Sequence, residues 1–578
     1  MSKSGHSSYY QYAAVLSWGS WAAVLIGSLF DKNALAWALS RVSYYLIFGL
    51  FLGWALALYQ RFQEEGQGPP ARRVLWKTHC RGVFVALLLT VAVFATVPKY
   101  LRVLSDEANL LSVARSMTFE RRIDCVTEGE RYYNMFWPLQ RVIDKRPFLF
   151  PFFVQLFHVL TGYRVENVFI LNFFVLWAVL ASVYFISRPW LSEAGASAVM
   201  VAVVGQPMVS LCATSGGFEL FNLLFILLSF LGLREFLQKP SAGNFSLLLL
   251  NLLMLANVRY ESVLFLVVTL TVLAARRCLR REHWQRSRVL LLAPWTLLPL
   301  IWQRALMSSS PDRDLPGGSW LAAFGWENFF TNLTILPRYL FDPGGSLGYG
   351  GVFNILWFGA MGFLLVQGLR DRRDPRKLGP SGERTWTLTV TACLLALAAV
   401  VLSYQGGIND HPLNGRLYLP FFVAAAVAGI VVLSRWFLTR QAWILGACLA
   451  GFVLYHPVAM QDRLTNWLLL VREQRFLTDY FQKLGDPNIL VIYERAQQLI
   501  IYNYGAISSS TAAEKLEDIR QQYAQGLIGK IFAVQSVAYR TKEVLPGQAL
   551  PGAYRLTPVA QLQNSPTQYI RISQVSFE

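Results

Sequence analysis

"VPKYLRVLSDEANLL", residues 97–111, closes a strongly apolar run and turns at once to charge, with Lys99 and Arg102 followed by adjacent Asp106 and Glu107. Neighbouring carboxylates where a chain leaves an apolar segment are compatible with three roles: a solvated loop, a metal ligand set or a catalytic base. The choice depends on where that segment ends, and hence on the pattern around it.

The chain has 578 residues, 54% hydrophobic and 15% charged, with a mean hydropathy of +0.38. Soluble domains carry about 25% charged residues, so the composition predicts a polytopic membrane protein. A formal charge of +18 invites a nucleic-acid reading. The excess lies in short Arg-rich stretches between apolar runs, however, which is where the positive-inside rule puts it. The six cysteines show no CxxC pairing, which argues against a disulfide framework or a thiolate metal site. The first apolar run lacks a small-residue cleavage site and is read as retained.

Apolar runs of roughly 17–25 residues cross a bilayer as helices. They are expected near residues 11–30, 41–60, 82–98, 165–187, 195–212, 218–233, 243–256, 260–275, 289–304, 350–368, 387–404, 416–434 and 441–456. That is about 13 transmembrane helices, the pair at 243–256 and 260–275 being short. The compact basic segments 61–81, 276–288 and 370–384 then share one side, the cytoplasmic one. This puts the N-terminus in the cytoplasm and the C-terminus outside, in the periplasm of a bacterial inner membrane. Segment 99–147 is also basic, but it is long and carries seven acids, and long loops translocate largely regardless of charge. Asp106 and Glu107 are therefore placed outside.

Two external loops are long, 99–164 and 305–349, and loops of that length are usually functional or disordered. In the first, Leu101, Leu104, Ala108 and Leu111 recur at helical spacing, predicting a short amphipathic helix on the membrane surface. Beyond residue 457 the texture changes. "NILVIYE" (488–494) and "KIFAVQSV" (530–537) read as strands, and 511–526 reads as a helix with Thr511 as N-cap and Glu514 completing a capping box. The expected fold class is a polytopic α-helical membrane protein with a small C-terminal soluble α/β domain. Its parts are 1–80 (two helices and a basic loop), 81–456 (the main membrane domain) and 457–578 (the α/β domain).

Soluble-enzyme signatures are missing: there is no GxxxxGK[ST], HExxH or GxSxG, and no GxGxxG follows a strand. Chemistry has to rest on carboxylates and on cations that hold anions. Neighbours on a helix point about 100° apart, so Asp106 and Glu107 suit a division of labour. One faces a cavity while the other caps, pairs with a cation or binds a metal; alternatively both are solvated, pairing with Arg102 or Arg115. In "DKRPFLFPFF" (144–153), Lys145 and Arg146 sit where two cations can hold a phosphate by charge-assisted hydrogen bonds. Pro147 and Pro151 break or re-aim the chain there. His158, on an apolar face, reads as a packing histidine. Further charges stand at outer junctions: Glu219 in "SGGFE" (215–219), Arg259 and Glu261 in "NVRYES" (257–262), and Asp410, His411, Arg416 and Tyr418 in "NDHPLNGRLYLP" (409–420). Ionisable groups at membrane depth mark function by default, and this topology lets all of them share one outward cavity.

The order of these elements resembles the GT-C superfamily of polytopic glycosyltransferases, in particular its protein O-mannosyltransferase and lipid A aminoarabinose transferase branch. The resemblance is carried by "LSDEANLL" after an early span, "DKRPFLFPFF" in the first large external loop, "HVLTGYRVENVFILN", "GGFE", "VRYES" and a late "GRLYLP". It covers roughly residues 81–456. It implies transfer of a sugar from a polyprenyl-phosphate-linked donor to a cell-envelope acceptor, whether lipid, glycan or protein, with inversion at the anomeric carbon. It also implies Asp106 as general base, Glu107 as its support or a metal ligand, and Glu219 as a second carboxylate. Lys145, Arg146, Arg259 and Arg416 become donor phosphate ligands, while Glu261, His411 and Tyr418 line the cavity. A divalent metal on Asp106, Glu107 and Glu219 is left open, a nucleotide cofactor is not expected, and the partners are the donor lipid, the acceptor and membrane lipids. The chain departs from the family in two extra N-terminal spans and in "KRP" where Lys-Pro-Pro or His-Pro-Pro is commoner. Rival readings are a transporter or flippase of lipid-linked glycans and a non-catalytic envelope assembly protein.

Overall fold

The computed structural model describes residues 17–22, 24–25, 31–65, 69–102, 104–133, 135–279, 287, 289–308, 324–341, 351–371, 381–404, 412–436, 440–460 and 469–577. Most of the first expected span, most of the loop 305–349, and Asp410 and His411 lie outside these residues.

The apolar runs fold as helices. Among the described residues eight are long and apolar enough to cross a membrane, or nine if the bent pair Glu193–Val204 and Pro207–Ala213 is one span. Pro207 opens the second half of that pair, where its missing N–H costs nothing, and the chain turns by 74° at the break. Three other expected spans are apolar helices of shorter length, Ala242–Ala256, Tyr260–Ala275 and Asn354–Gln367, so thirteen full spans are not seen among the described residues. The chain is an integral membrane protein whose helices meet through packing, since lipid tails remove the usual hydrophobic drive between them. Phe152, for example, is fully buried among the rings of Tyr44, Phe48 and Phe51 on the helix Lys32–Glu65.

The loop after residue 98 is more structured than expected. Its helix, Leu104–Glu120, does not lie on the surface: Ala108, Leu111, Val113, Ala114 and Met117 are all buried. The amphipathic spacing marked one buried face, but protein covers the other faces as well. A hairpin follows, β1 (Cys125–Tyr132) and β2 (Met135–Val142), and then the helix Leu149–Thr161. Pro151 sits in its first turn, so the proline that looked like a breaker starts a helix instead.

The tail builds β3 (Ile489–Ile492), β4 (Gly505–Ile507), β5 (Lys530–Ala538), β6 (Tyr554–Gln563) and β7 (Gln568–Phe577). Both tail strands expected from sequence are present. The expected 511–526 helix is two, Ser509–Glu514 and Leu516–Ala524, and its cap is Ser508, whose hydroxyl accepts the Thr511 N–H. The sheet is not made by the tail alone. Its order is β2-β1-β4-β3-β5-β7-β6, with β1 joined antiparallel to β4 at Gly129 and Ala506. The strands β4, β3 and β5 are parallel, and all four residues of β3 are buried, as expected of a strand covered on both faces. Since main-chain hydrogen bonds join loop and tail, both lie on one side of the membrane.

Side chains reinforce the joint. Arg115 Nε donates to Asn503 Oδ1 at 3.1 Å, Arg131 to the Asn503 carbonyl at 2.8 Å, and the Tyr163 hydroxyl to the Ile501 carbonyl at 2.7 Å. Arg475, on the helix Leu469–Leu484, lies over the Tyr100 ring at 4.2 Å. The loop bearing the acidic pair is thereby fixed from above by the sheet and from below by the helical bundle.

Candidate functional site

Asp106 and Glu107 occupy the first turn of the helix Leu104–Glu120, where the exposed backbone N–H groups favour negative charge. They diverge. Glu107 is 1% exposed and its Oε2 accepts the Arg102 backbone N–H at 2.7 Å. It therefore closes the entry to its own helix, packed against Gly216 of the "SGGFE" turn. The Arg102 guanidinium goes elsewhere, donating to the carbonyls of Pro98 at 2.6 Å and Leu211 at 3.0 Å. Burial lowers its pKa to about 10. Arg115 serves the sheet joint, so neither arginine pairs with Asp106, and the acids are not a solvated pair.

Asp106 faces two other arginines. One carboxylate oxygen is paired with Arg146, and the other accepts from Arg416 at 2.8 Å. Arg416 arrives 310 residues later in the chain, on the 3₁₀ turn Pro412–Tyr418, and also reaches Glu219 at 3.3 Å. Glu219 begins the helix Glu219–Gln238, and Gly217 leaves room for it: a Cβ there would meet Glu219 Oε2 at 2.1 Å.

The "DKR" turn separates its two cations. Lys145 is exposed, whereas Arg146 is buried and clamped. Asp144 accepts the Arg146 guanidinium at 2.8 Å and its backbone N–H at 3.2 Å. Asn109, one turn beyond Asp106 on the same helix, donates to Asp144 at 3.1 Å. Gln303, from the helix Val289–Ser308, donates to the carbonyls of Asp144 and Arg146. Burial dominates here. It pushes the Asp144 carboxyl up to about 6 despite the hydrogen bonds from Asn109 and the Arg146 and Lys145 backbones. It pulls Arg146 down to about 10, with Arg416 adding to the effect. Each member of the pair is thus displaced against its own partnership, because losing water costs more than one neighbour returns.

A second pair, Arg259 with Glu261, stands beside the first network. The two networks share a cleft with about 310 Å³ of empty space, polar on the side of Glu219, Asn222, Arg259, Glu261 and Arg416 and apolar on the side of Leu397, Val401 and Pro420. Glu261 Oε2 is buried and has no hydrogen-bond partner among the described residues. Tyr260, between Arg259 and Glu261 in the chain, carries the Arg304 guanidinium over its ring at 3.9 Å. Tyr418, expected to line the cavity, is buried and does not line this cleft.

Asp106, Arg146, Glu219, Arg259, Glu261 and Arg416 are therefore brought together, from five separated stretches of chain. Lys145 remains at the rim, Glu107 is withdrawn, and His411 lies outside the described residues. The metal left open on Asp106, Glu107 and Glu219 finds no preformed triad among the described residues. Among the described residues no three His, Cys, Asp or Glu groups could hold an ion, because Arg416 bridges Asp106 and Glu219 while Glu107 turns to the Arg102 backbone. His158 is a packing residue, buried and bonded to Asn167 at 2.8 Å. Sequence reading missed Asp144, Asn109, Gln303, Asn222 and Tyr260. Asn109 follows Asp106 at helical spacing, and Gln303 is a polar group inside an apolar span; both are readable signals in hindsight.

No protein-family model matches this chain, and no curated protein matches it in sequence. Solved structures do. ArnT from Cupriavidus metallidurans bound to undecaprenyl phosphate is similar at 13% identity, over 87% of this chain and 98% of that one, with a TM-score of 0.52. The same protein in its apo state matches at 12% identity, over 85% and 97%, with a TM-score of 0.51. The Archaeoglobus fulgidus oligosaccharyltransferase tethered with an acceptor peptide follows at 10% identity, 79% and 69% coverage and a TM-score of 0.42. At such identities the likeness to ArnT is one of fold.

Proposed function

We propose that this protein transfers a sugar from a polyprenyl phosphate to an acceptor in the cell envelope, on the outer side of a bacterial inner membrane. The observation that carries the reading is the convergence of Arg146 and Arg416 on Asp106 at one end of an apolar bundle, beside a cleft that is polar on one wall only. Two guanidiniums that hold a carboxylate also suit a phosphate. The shared fold with an ArnT that binds undecaprenyl phosphate supports a lipid-linked phosphate as the anion. The N-terminus is cytoplasmic and the sheet lies on the periplasmic side, together with the site.

The donor phosphate sits between Arg146 and Arg416, with Arg259 beside it and Lys145 at the rim. Its sugar occupies the cleft, where Glu261 Oε2 and Asn222 meet hydroxyl groups. The acceptor's nucleophile attacks the anomeric carbon and the bond from that carbon to the phosphate oxygen breaks. The electron pair stays on the polyprenyl phosphate, and Asp106 takes the nucleophile's proton. General-base help of this kind is worth about 10²–10⁴-fold, and arginines aimed at the growing charge supply the electrostatic part. One displacement with one base inverts the anomeric carbon. Glu219 holds Arg416, and Glu107 fixes the start of the helix that presents Asp106.

The test is transfer by purified protein in lipid nanodiscs, with polyprenyl-phosphate sugars as donors and Asp106→Asn for comparison. A 10²-fold or greater loss in the variant is expected; a wild-type rate would remove Asp106 as the base.

A further inference from the structure

We propose that the arginines which bind the donor phosphate also hold the base inactive, so that donor binding releases Asp106 for the acceptor. This rests on the reading of Arg146 and Arg416 as the phosphate site.

Both carboxylate oxygens of Asp106 are engaged, one by Arg146 and one by Arg416 at 2.8 Å. A carboxylate in two such contacts prefers its charged form strongly and takes a proton poorly. An entering phosphate has to compete with carboxylates for the two arginines that hold Asp106. Around Asp106 stand Arg146 and Arg416 in contact, with Asp144 and Glu219 behind them. Glu107 follows on its own helix, and Arg259 and Tyr260 act on Arg146 from the facing turn. The inner set is three carboxylates (Asp106, Asp144, Glu219) against two guanidiniums, so it has no spare positive charge to offer a phosphate. The anion gains its arginines only by displacing a carboxylate.

Of the three, Asp106 is the one that can yield. Asp144 is 5% exposed and fixed by Asn109 as well as by the Arg146 backbone. Glu219 is 6% exposed and confined by Gly217. The Asp106 side chain is 18% exposed, and no hydrogen bond but those from the two arginines holds it among the described residues. Exchange leaves Arg146 on Asp144 and Arg416 on Glu219, both presented to the phosphate, with Asp106 free beside the anomeric carbon. The order of binding follows: donor first, acceptor second.

The measurement is labelling of Asp106 by dicyclohexylcarbodiimide, which attacks protonated carboxyls, read by mass spectrometry on the full-length protein in nanodiscs. Undecaprenyl phosphate is the probe and undecaprenol the uncharged control. Undecaprenyl phosphate is expected to raise labelling at Asp106 several-fold, and undecaprenol is expected to leave it unchanged. Arg416→Gln, which leaves Asp106 only its Arg146 contact, is expected to label without lipid to an extent between the two wild-type states. Native mass spectrometry of the same samples reports lipid binding independently. Bound undecaprenyl phosphate with unchanged labelling overturns the release and leaves the phosphate site standing. Failure of undecaprenyl phosphate to bind at all overturns both. The wild-type comparison decides the matter even if the variant does not fold.

Discussion

Arg416 is the residue on which the site's geometry turns, and its removal is the sharpest test of that geometry. It reaches Asp106 at 2.8 Å and Glu219 at 3.3 Å from a segment far along the chain. At an effective dielectric of about 20, one charge pair at that shorter distance has a gross attraction of about 6 kcal/mol. Much of this offsets the lost hydration of the partners, and Asp106 keeps Arg146 when Arg416 is gone. The relevant comparison is with removal of one preorganised donor from an active site, which costs about 10²–10³ in rate. Arg416→Ala should therefore lower kcat/KM for the donor by about 10²–10³. Arg416→Lys, which keeps the charge but cannot contact both carboxylates in one plane, should recover part of that loss. The assay is transfer of labelled sugar by purified protein in nanodiscs, with thermal unfolding recorded in parallel. If the Ala variant stays within about three-fold of wild type while folding normally, Arg416 does not face the reacting phosphate and the convergence has been misread.

Two further outcomes follow from neighbours of that contact. Gly217→Ala places a methyl group where Glu219 Oε2 now lies, so Glu219 should leave Arg416 and KM for the donor should rise several-fold with a smaller change in kcat, as donor titrations would show. Asp144 titrates in the opposite sense to an ordinary paired carboxylate: its folded pKa of about 6 lies above the unfolded value. Its contribution to stability is therefore full at pH below about 4 and is lost as pH rises through about 6. Wild type should gain thermal stability relative to Asp144→Asn between pH 7 and 5, as melting curves across that range would show.

The membrane part was legible because apolar runs of bilayer length leave a helix little choice. The loop from 99 to 164 was misjudged, because its structure depends on residues far away in the chain. "CVTEGERY" carries Glu128 and Glu130, which do not advertise a strand. Both are nevertheless buried, because β1 pairs with β4 from the tail and β2 covers its other edge. The helix Leu104–Glu120 looked amphipathic for a similar reason. Its polar-facing residues include Ser112, which bonds Val126, and Arg115, which bonds Asn503, and neither partner is visible from local periodicity. The cap at Ser508 was missed by three residues, a routine uncertainty of helix ends.

The charged junctions were legible as a set, but their division of labour was not, and the reason is electrostatic. Sequence position could place Asp106, Lys145, Arg146, Glu219, Arg259, Glu261 and Arg416 on one side of a membrane; it could not say how many charges a single small site accommodates. A partly desolvated site holds charges only in near balance, so each arginine brought inward requires a carboxylate beside it. Asp144 meets that requirement for Arg146, Glu219 for Arg416 and Glu261 for Arg259. Asp106 is the remaining carboxylate, held by two arginines that already have partners. Lys145 has no such inward partner and stays exposed. The adjacent Glu107, spent on the Arg102 backbone, is not available for the role. The surplus acid in such a cluster is the group we propose is released, and charge balance, rather than adjacency to the span end, is what singles out Asp106.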